Sequence, residues 1–178
     1  MRNKAVFLDR DGTINVDKEY VYKTIDLEFL PNAVKGLRIL QDKGFILIII
    51  TNQSGIGRGY YSEKDYRSLM DKFYKELNKE GIRIKADYYC KHAPEEKCGC
   101  RKPETGLIEK AIDDLDIDVT SSFFIGDKTA DILAGKRSGL KTVLVKTGKG
   151  GKDKKFEVIP DYYLTDLLDF AKTLECVK

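Results

Sequence analysis

No stretch of this sequence comes near the roughly 20 consecutive apolar residues that a bilayer span requires. The longest, Phe45 to Ile50, has the length of a buried strand, so a membrane partner is not expected. The opening Met1-Arg2-Asn3-Lys4 runs into only four apolar residues, Ala5 to Leu8, and then into acidic ones. That is too short for the apolar core of a secretion signal, and a cytoplasmic location is expected. Charge of one sign is also lacking: 32 Lys and Arg against 29 Asp and Glu leave a net +3, too little to argue for a nucleic-acid partner. Internal repeats and long low-complexity tracts are absent; the lysine-rich segment 146–155 reads as a short solvated loop. Histidine occurs once and cysteine four times. In a reducing compartment such thiols serve metals or chemistry more often than disulfides.

What is present suffices for one core. The 178 residues, 42% of them hydrophobic, have the usual size of a single domain, expected to span 1–178. Short apolar runs recur at Ala5–Leu8, Phe45–Ile50, Ala86–Tyr89, Phe123–Ile125 and Thr142–Val145, with helically spaced stretches between them. Continuously apolar strands alternating with helices predict a doubly wound, Rossmann-like α/β fold, its parallel sheet covered on both faces. Helix boundaries are predicted at Asn32 and Gly44, at Ser62 with Asp65 and Gly81, and before Gly139. In such a sheet the ligand crevice lies beyond the carboxyl ends of the strands, where Asp9, Thr51 and Gly126-Asp127 fall.

Those positions are chemically loaded. Asp9-Arg10-Asp11-Gly12-Thr13 sets two carboxylates two residues apart, one able to attack phosphorus while the other, kept partly protonated by its neighbour, serves the leaving oxygen. Thr51-Asn52-Gln53-Ser54-Gly55 is a run of donors suited to phosphoryl oxygens. Arg101-Lys102 supplies adjacent cations, and Gly126-Asp127-Lys128 ends in a hard carboxylate of the kind magnesium takes, with Asp131 one turn on. Cys90, His92, Cys98 and Cys100 lie within eleven residues, the ligand set of a closed, structural tetrahedral zinc site. Cys176 is left over, read as a free thiol near the end of the last helix.

The order of these motifs resembles the haloacid dehalogenase superfamily of phosphohydrolases. The resemblance implies that Asp9 is the nucleophile and Asp11 the acid/base, that Thr51 and Lys102 hold the phosphoryl group, and that Mg2+ binds Asp9, the Asp11 carbonyl and Asp127. The intervals Thr13 to Thr51 and Thr51 to Lys102 leave no room for a separate cap domain. Within the superfamily, Asp9 to Val16, Thr51 to Gly59, Cys-x-His, Cys-x-Cys-Arg-Lys-Pro and Gly-Asp-Lys resemble the D-glycero-D-manno-heptose-1,7-bisphosphate 7-phosphatase family. That resemblance implies a small phosphorylated sugar as substrate partner and heptose 1-phosphate as the product, made for surface glycans, and places substrate contacts on Asp17, Lys18, Glu19, Tyr20, Asn52, Gln53, Ser54, Arg101 and Lys128. Histidinol-phosphate phosphatases share the compact zinc-loop spacing, and they, like the superfamily's polynucleotide-end phosphatases, stand as alternatives. A monomer is expected, since no exposed apolar helix face is evident.

Overall fold

A computed structural model describes residues 2–174; Cys176 lies outside the described residues. Six parallel strands form one sheet in the order β3-β2-β1-β4-β5-β6. They are β1 (Ala5–Leu8), β2 (Ile46–Asn52), β3 (Ile84–Cys90), β4 (Phe123–Gly126), β5 (Lys141–Val145) and β6 (Tyr162–Leu164). The helices are α1 (Ala33–Asp42), α2 (Ser54–Gly57), α3 (Glu63–Lys79), α4 (Gly106–Leu115), α5 (Thr129–Arg137) and α6 (Leu167–Thr173).

The central strands are apolar on both sides because both faces are covered. Val6 and Leu8 point into one core with Leu37 of α1, Tyr66 and Phe73 of α3, and Phe170 of α6. Ala5 and Phe7 point into the other with Ile108 of α4 and Ala134 of α5. The chain therefore winds one way from β1 through β2 to β3, crosses back through α4, and winds the other way from β4. The strand order reverses beside β1 and β4, and a crevice opens there at their carboxyl ends. No cap domain interrupts the described residues.

The five expected strands form, and the third is longer than its apolar run suggested. The sixth, β6, was not foreseen: Tyr162 and Tyr163 are exposed, so no apolar run marks it. Ser62 and Asp65 make the reciprocal hydrogen bonds of a capping box at the start of α3. Asn32 precedes α1 but does not cap it. Its backbone is left-handed, with φ 66°, and its side-chain amide donates to Asp166 at 3.0 Å, tying α1 to the start of α6.

Candidate active site

Asp9 is the first residue after β1, and its N–H still donates to Ile125 of β4 at 3.0 Å, which holds its carboxylate at the reversal point. The side chain is buried. Lys102 Nζ donates to Asp9 Oδ1 at 2.9 Å, to the Ile50 carbonyl at 2.7 Å and to Asp131 Oδ1 at 2.7 Å. Lys128 Nζ lies 3.6 Å from Asp9 Oδ2. Burial alone would raise the Asp9 carboxyl, but the charges of Lys102 and Lys128 hold it below the ordinary carboxylate range. Burial likewise opposes the Lys102 ammonium, and Asp131 and Asp9 outweigh it, raising that lysine. Both groups are thus kept ionised in a largely dry site. The Lys102 backbone is clipped to β2, its N–H donating to Asn52 Oδ1 at 3.1 Å and its carbonyl accepting from Asn52 Nδ2 at 3.2 Å.

Asp127 follows β4 and is fully buried. Its Oδ2 accepts the Lys149 N–H at 2.7 Å, whereas Oδ1 has no hydrogen-bond partner. Burial pushes this carboxyl up to about 8, against the pull of the Lys128 charge. Lys128 Nζ is 3.6 Å from Asp127 Oδ1, 3.4 Å from Asp17 Oδ2 and donates to the Asp11 carbonyl at 3.3 Å. Asp9 Oδ2, Asp127 Oδ1 and the Asp11 carbonyl therefore converge on a single cationic position. With the orphaned Asp127 oxygen among them, these hard donors fit Mg2+.

The second carboxylate is held differently from expectation. The neighbour meeting the Asp11 carboxylate is the Arg10 cation rather than Asp9. Arg10 Nη2 donates to Asp11 Oδ2 at 2.8 Å and Nε to Oδ1 at 3.1 Å. Asn15 Nδ2 donates to Oδ1 at 2.9 Å and Gln53 Nε2 to Oδ2 at 3.1 Å. Gln53 also donates to Thr51 Oγ1 at 2.8 Å and accepts from the Tyr61 hydroxyl at 2.7 Å, so its amide links Asp11 to Thr51. Both Thr51 and Gln53 are buried. Gly12, at φ +89°, makes the turn after Asp11, and a Cβ there would come within 2.7 Å of the Asp127 carboxyl carbon.

Of the other expected residues, Asp17 joins the cluster through Lys128. Tyr20 sits at the rim, edge-on to Tyr60 at 5.0 Å. Ser54 opens α2, immediately after Gln53. Lys18 pairs with Glu28 at 3.1 Å, and Glu19 is exposed; neither meets the carboxylate cluster. Arg101 lines a cavity of about 660 Å³ that also reaches Lys102 and Lys128.

The four zinc candidates come together at the end of β3. Sulfur separations are 3.5 Å for Cys90 to Cys98, 3.2 Å for Cys90 to Cys100 and 3.4 Å for Cys98 to Cys100, with His92 Nδ1 3.2 Å from Cys100 Sγ. Tetrahedral bonds of about 2.3 Å to sulfur imply edges of roughly 3.8 Å, so the donors need only open slightly to take zinc. Burial opposes ionisation of Cys98, but the Cys100 N–H and the neighbouring thiols bring it down to about 7, favouring the thiolate a metal requires.

Five contributors were absent from the expected site. Asp131 stands one turn into α5, where its spacing from Asp127 was legible but its partner Lys102 was not. Arg10 and Asn15 lie inside the first motif and were read as spacers. Gly148 and Lys149 come from the lysine-rich loop after β5. A Cβ on Gly148, at φ +57°, would collide with Asp127 and lie 2.7 Å from Gly12 Cα; no local pattern announces that approach.

Comparison with known proteins agrees with this geometry. The HAD-hydrolase-like family model matches residues 99–170. The D-glycero-beta-D-manno-heptose-1,7-bisphosphate 7-phosphatase of Haemophilus ducreyi is 47% identical over 157 residues, 84% of this chain and 86% of its own length. The D-glycero-alpha-D-manno-heptose-1,7-bisphosphate 7-phosphatase of Campylobacter jejuni is 41% identical over 172 residues, covering 97% of this chain and 98% of its own. The crystal structure of D,D-heptose 1,7-bisphosphate phosphatase from B. bronchiseptica, complexed with magnesium and phosphate, superposes with a TM-score of 0.89 at 29% identity, over 97% of this chain and 98% of that one.

Proposed function

Because the chain belongs to the D-glycero-D-manno-heptose-1,7-bisphosphate 7-phosphatase family of HAD hydrolases, we propose that it removes the 7-phosphate of that sugar bisphosphate through a phosphoryl group carried on Asp9. The observation that carries this reading is the buried Asp9 carboxylate, kept ionised by Lys102 and Lys128 opposite the unpartnered oxygen of Asp127.

Lys102 holds the Asp9 carboxylate in place, and the carboxylate oxygen that does not face the Mg2+ position attacks phosphorus. As that bond forms, the bond from phosphorus to the sugar O7 breaks, and O7 takes a proton from Asp11. Asp11, now a carboxylate, takes a proton from water; the water oxygen attacks the aspartyl-phosphate, phosphate leaves, and Asp9 is restored. Arg10, Asn15 and Gln53 fix where Asp11 stands for both transfers. Thr51 and Lys102 supply donors to the phosphoryl oxygens. Asp9, Asp127 and the Asp11 carbonyl would hold Mg2+, which when bound offsets the repulsion between carboxylate and phosphate. Asp17, Tyr20, Asn52, Ser54, Arg101 and Lys128 would contact the sugar phosphate, whereas the buried Gln53 would act by positioning Asp11 and Thr51. Cys90, His92, Cys98 and Cys100 would hold a structural zinc that fixes the loop leading to Arg101 and Lys102.

No helix among the described residues is long and apolar enough to cross a membrane, and the reading is of a monomer acting in the cytoplasm. It is tested by phosphate release, side by side, from both anomers of heptose 1,7-bisphosphate, from histidinol phosphate and from fructose 1,6-bisphosphate. A heptose bisphosphate should give the highest kcat/KM. A higher value for histidinol phosphate would overturn the substrate assignment, and one unaffected by Asp9→Asn would overturn the nucleophile.

A further inference from the structure

Tyr61 lies between α2 and α3 and is buried. Packing holds its ring: it stacks on Tyr22 with centroids 4.8 Å apart and planes 4° apart, and a Cβ on Gly55 would collide with Tyr61 Cε1. The hydroxyl donates to Gln53 Oε1 at 2.7 Å. Burial raises it well above the ordinary tyrosine value, so it keeps its proton and stays a donor. A donor at Oε1 decides which way the Gln53 amide faces. Nε2 then points at Asp11 Oδ2, 3.1 Å away, and at Thr51 Oγ1, 2.8 Å away, so both amide hydrogens are used. The reversed amide would set its oxygen against the Asp11 carboxylate and its hydrogens against the Tyr61 proton. The only other donor to Gln53 Oε1 among the described residues is Arg10 Nη2, 3.5 Å away, at the limit of a hydrogen bond.

We infer that Tyr61 is a positioning residue: through Gln53, its hydroxyl aims one amide hydrogen at the acid/base Asp11 and the other at Thr51. This rests on Asp11 delivering the proton to the leaving oxygen, as in the reading above. The hydrogen bonds run one way, from Tyr61 to Gln53 and from there to both site residues. Thr51 Oγ1, filled by accepting from Gln53, has its own hydrogen free for a phosphoryl oxygen. Arg10 and Asn15 also hold the Asp11 carboxylate, but of these three Gln53 is the one that also reaches Thr51. Without the Tyr61 hydroxyl, Gln53 Oε1 is a buried acceptor with one long contact, which is costly to leave unmet. The amide then turns toward Arg10, and the proton donor loses its register with the residue that holds the phosphoryl group.

The test is Tyr61→Phe, which removes the hydroxyl and keeps the ring against Tyr22. On heptose 1,7-bisphosphate, kcat/KM should fall about three- to tenfold, through kcat rather than KM. The loss should be smaller on p-nitrophenyl phosphate, whose leaving group departs as a phenolate and needs no proton from Asp11. In a Gln53→Ala background the same substitution should cost nothing further, because its route to the site is gone. Unchanged kcat/KM, equal losses on both esters, or losses of Tyr61→Phe and Gln53→Ala that multiply would each overturn the proposal. Side-chain amide NMR reads the same contact without turnover: the Gln53 amide hydrogens should exchange slowly with water in the wild type and faster in Tyr61→Phe, and equal rates would also overturn it. If Asp11→Asn leaves hydrolysis intact, or the wild type fails to hydrolyse the bisphosphate, the functional reading falls by itself, and the exchange rates still decide whether Tyr61 positions Gln53.

Discussion

Lys102 shows how much of the site hangs on single atoms. Its ammonium has three donors and meets three acceptors, Asp9, Asp131 and the Ile50 carbonyl, so its position is fully determined. Asp131 does double service, since its Oδ2 also accepts the Lys128 N–H at 3.1 Å at the start of α5. Asparagine has one acceptor oxygen and cannot serve both. Asp131→Asn should therefore release either the Lys102 ammonium or the helix start, and lower kcat roughly 10- to 100-fold while the phosphate remains bound. Steady-state kinetics with a thermal melt check this; a kcat within a factor of about two would show that Asp131 does not position Lys102. Asp9, Asp127 and Lys102 were legible in the sequence because each abuts an apolar run or a motif boundary. Arg10 was not, because a charged residue between two acids looks like a solvated spacer until burial reveals the ion pair with Asp11.

At the scale of elements, the loops after the strands carry the site residues, and the strands aim them. The loop after β3 carries four thiol and imidazole donors and then Arg101 and Lys102, so a metal there would fix the segment that leads to these two cations. Cys98→Ser should lower zinc content and increase amide exchange across 91–105; normal zinc and unchanged exchange would contradict a structural metal. The loop after β5 acts through backbone. Gly148→Ala places a methyl group against Asp127 and Gly12 at a positive φ, and should weaken Mg2+ binding and lower activity at least tenfold while leaving zinc content alone. Calorimetry with Mg2+ reads the first effect directly. The zinc loop could be read from residue types because its ligands are close in sequence. The Gly148 contact could not, because it joins segments more than a hundred residues apart, and β6 escaped because its exposed tyrosines carry no periodic signal.

For the whole molecule, the sheet reversal gathers Asp9, Asp127 and Asp131 into one buried group, an arrangement that favours function over stability. The stability of the protein kept in chelator should reveal the cost through pH. Asp127 is raised to about 8 by burial, and Asp131 is raised for the same reason. In the window from about pH 4 to pH 8 the unfolded chain has lost the Asp127 proton and the folded chain retains it, so the folded state binds more protons and stability falls as pH rises. Asp9 is lowered and acts only below the ordinary carboxylate range; Lys102 and Lys128 are raised and act only above the ordinary lysine range; Cys98, brought down to about 7, works against the trend only above about pH 7. The Tm in chelator should therefore drop by roughly 5 °C or more between pH 5 and pH 8. Asp127→Asn, which carries no proton to lose, should flatten that slope. Mg2+, by favouring the carboxylate, should raise the wild-type Tm most near pH 8 and leave the variant nearly unmoved. Parallel pH profiles of Tm for the two proteins would show instead that the Asp127 carboxyl is not the group that makes this fold sensitive to pH.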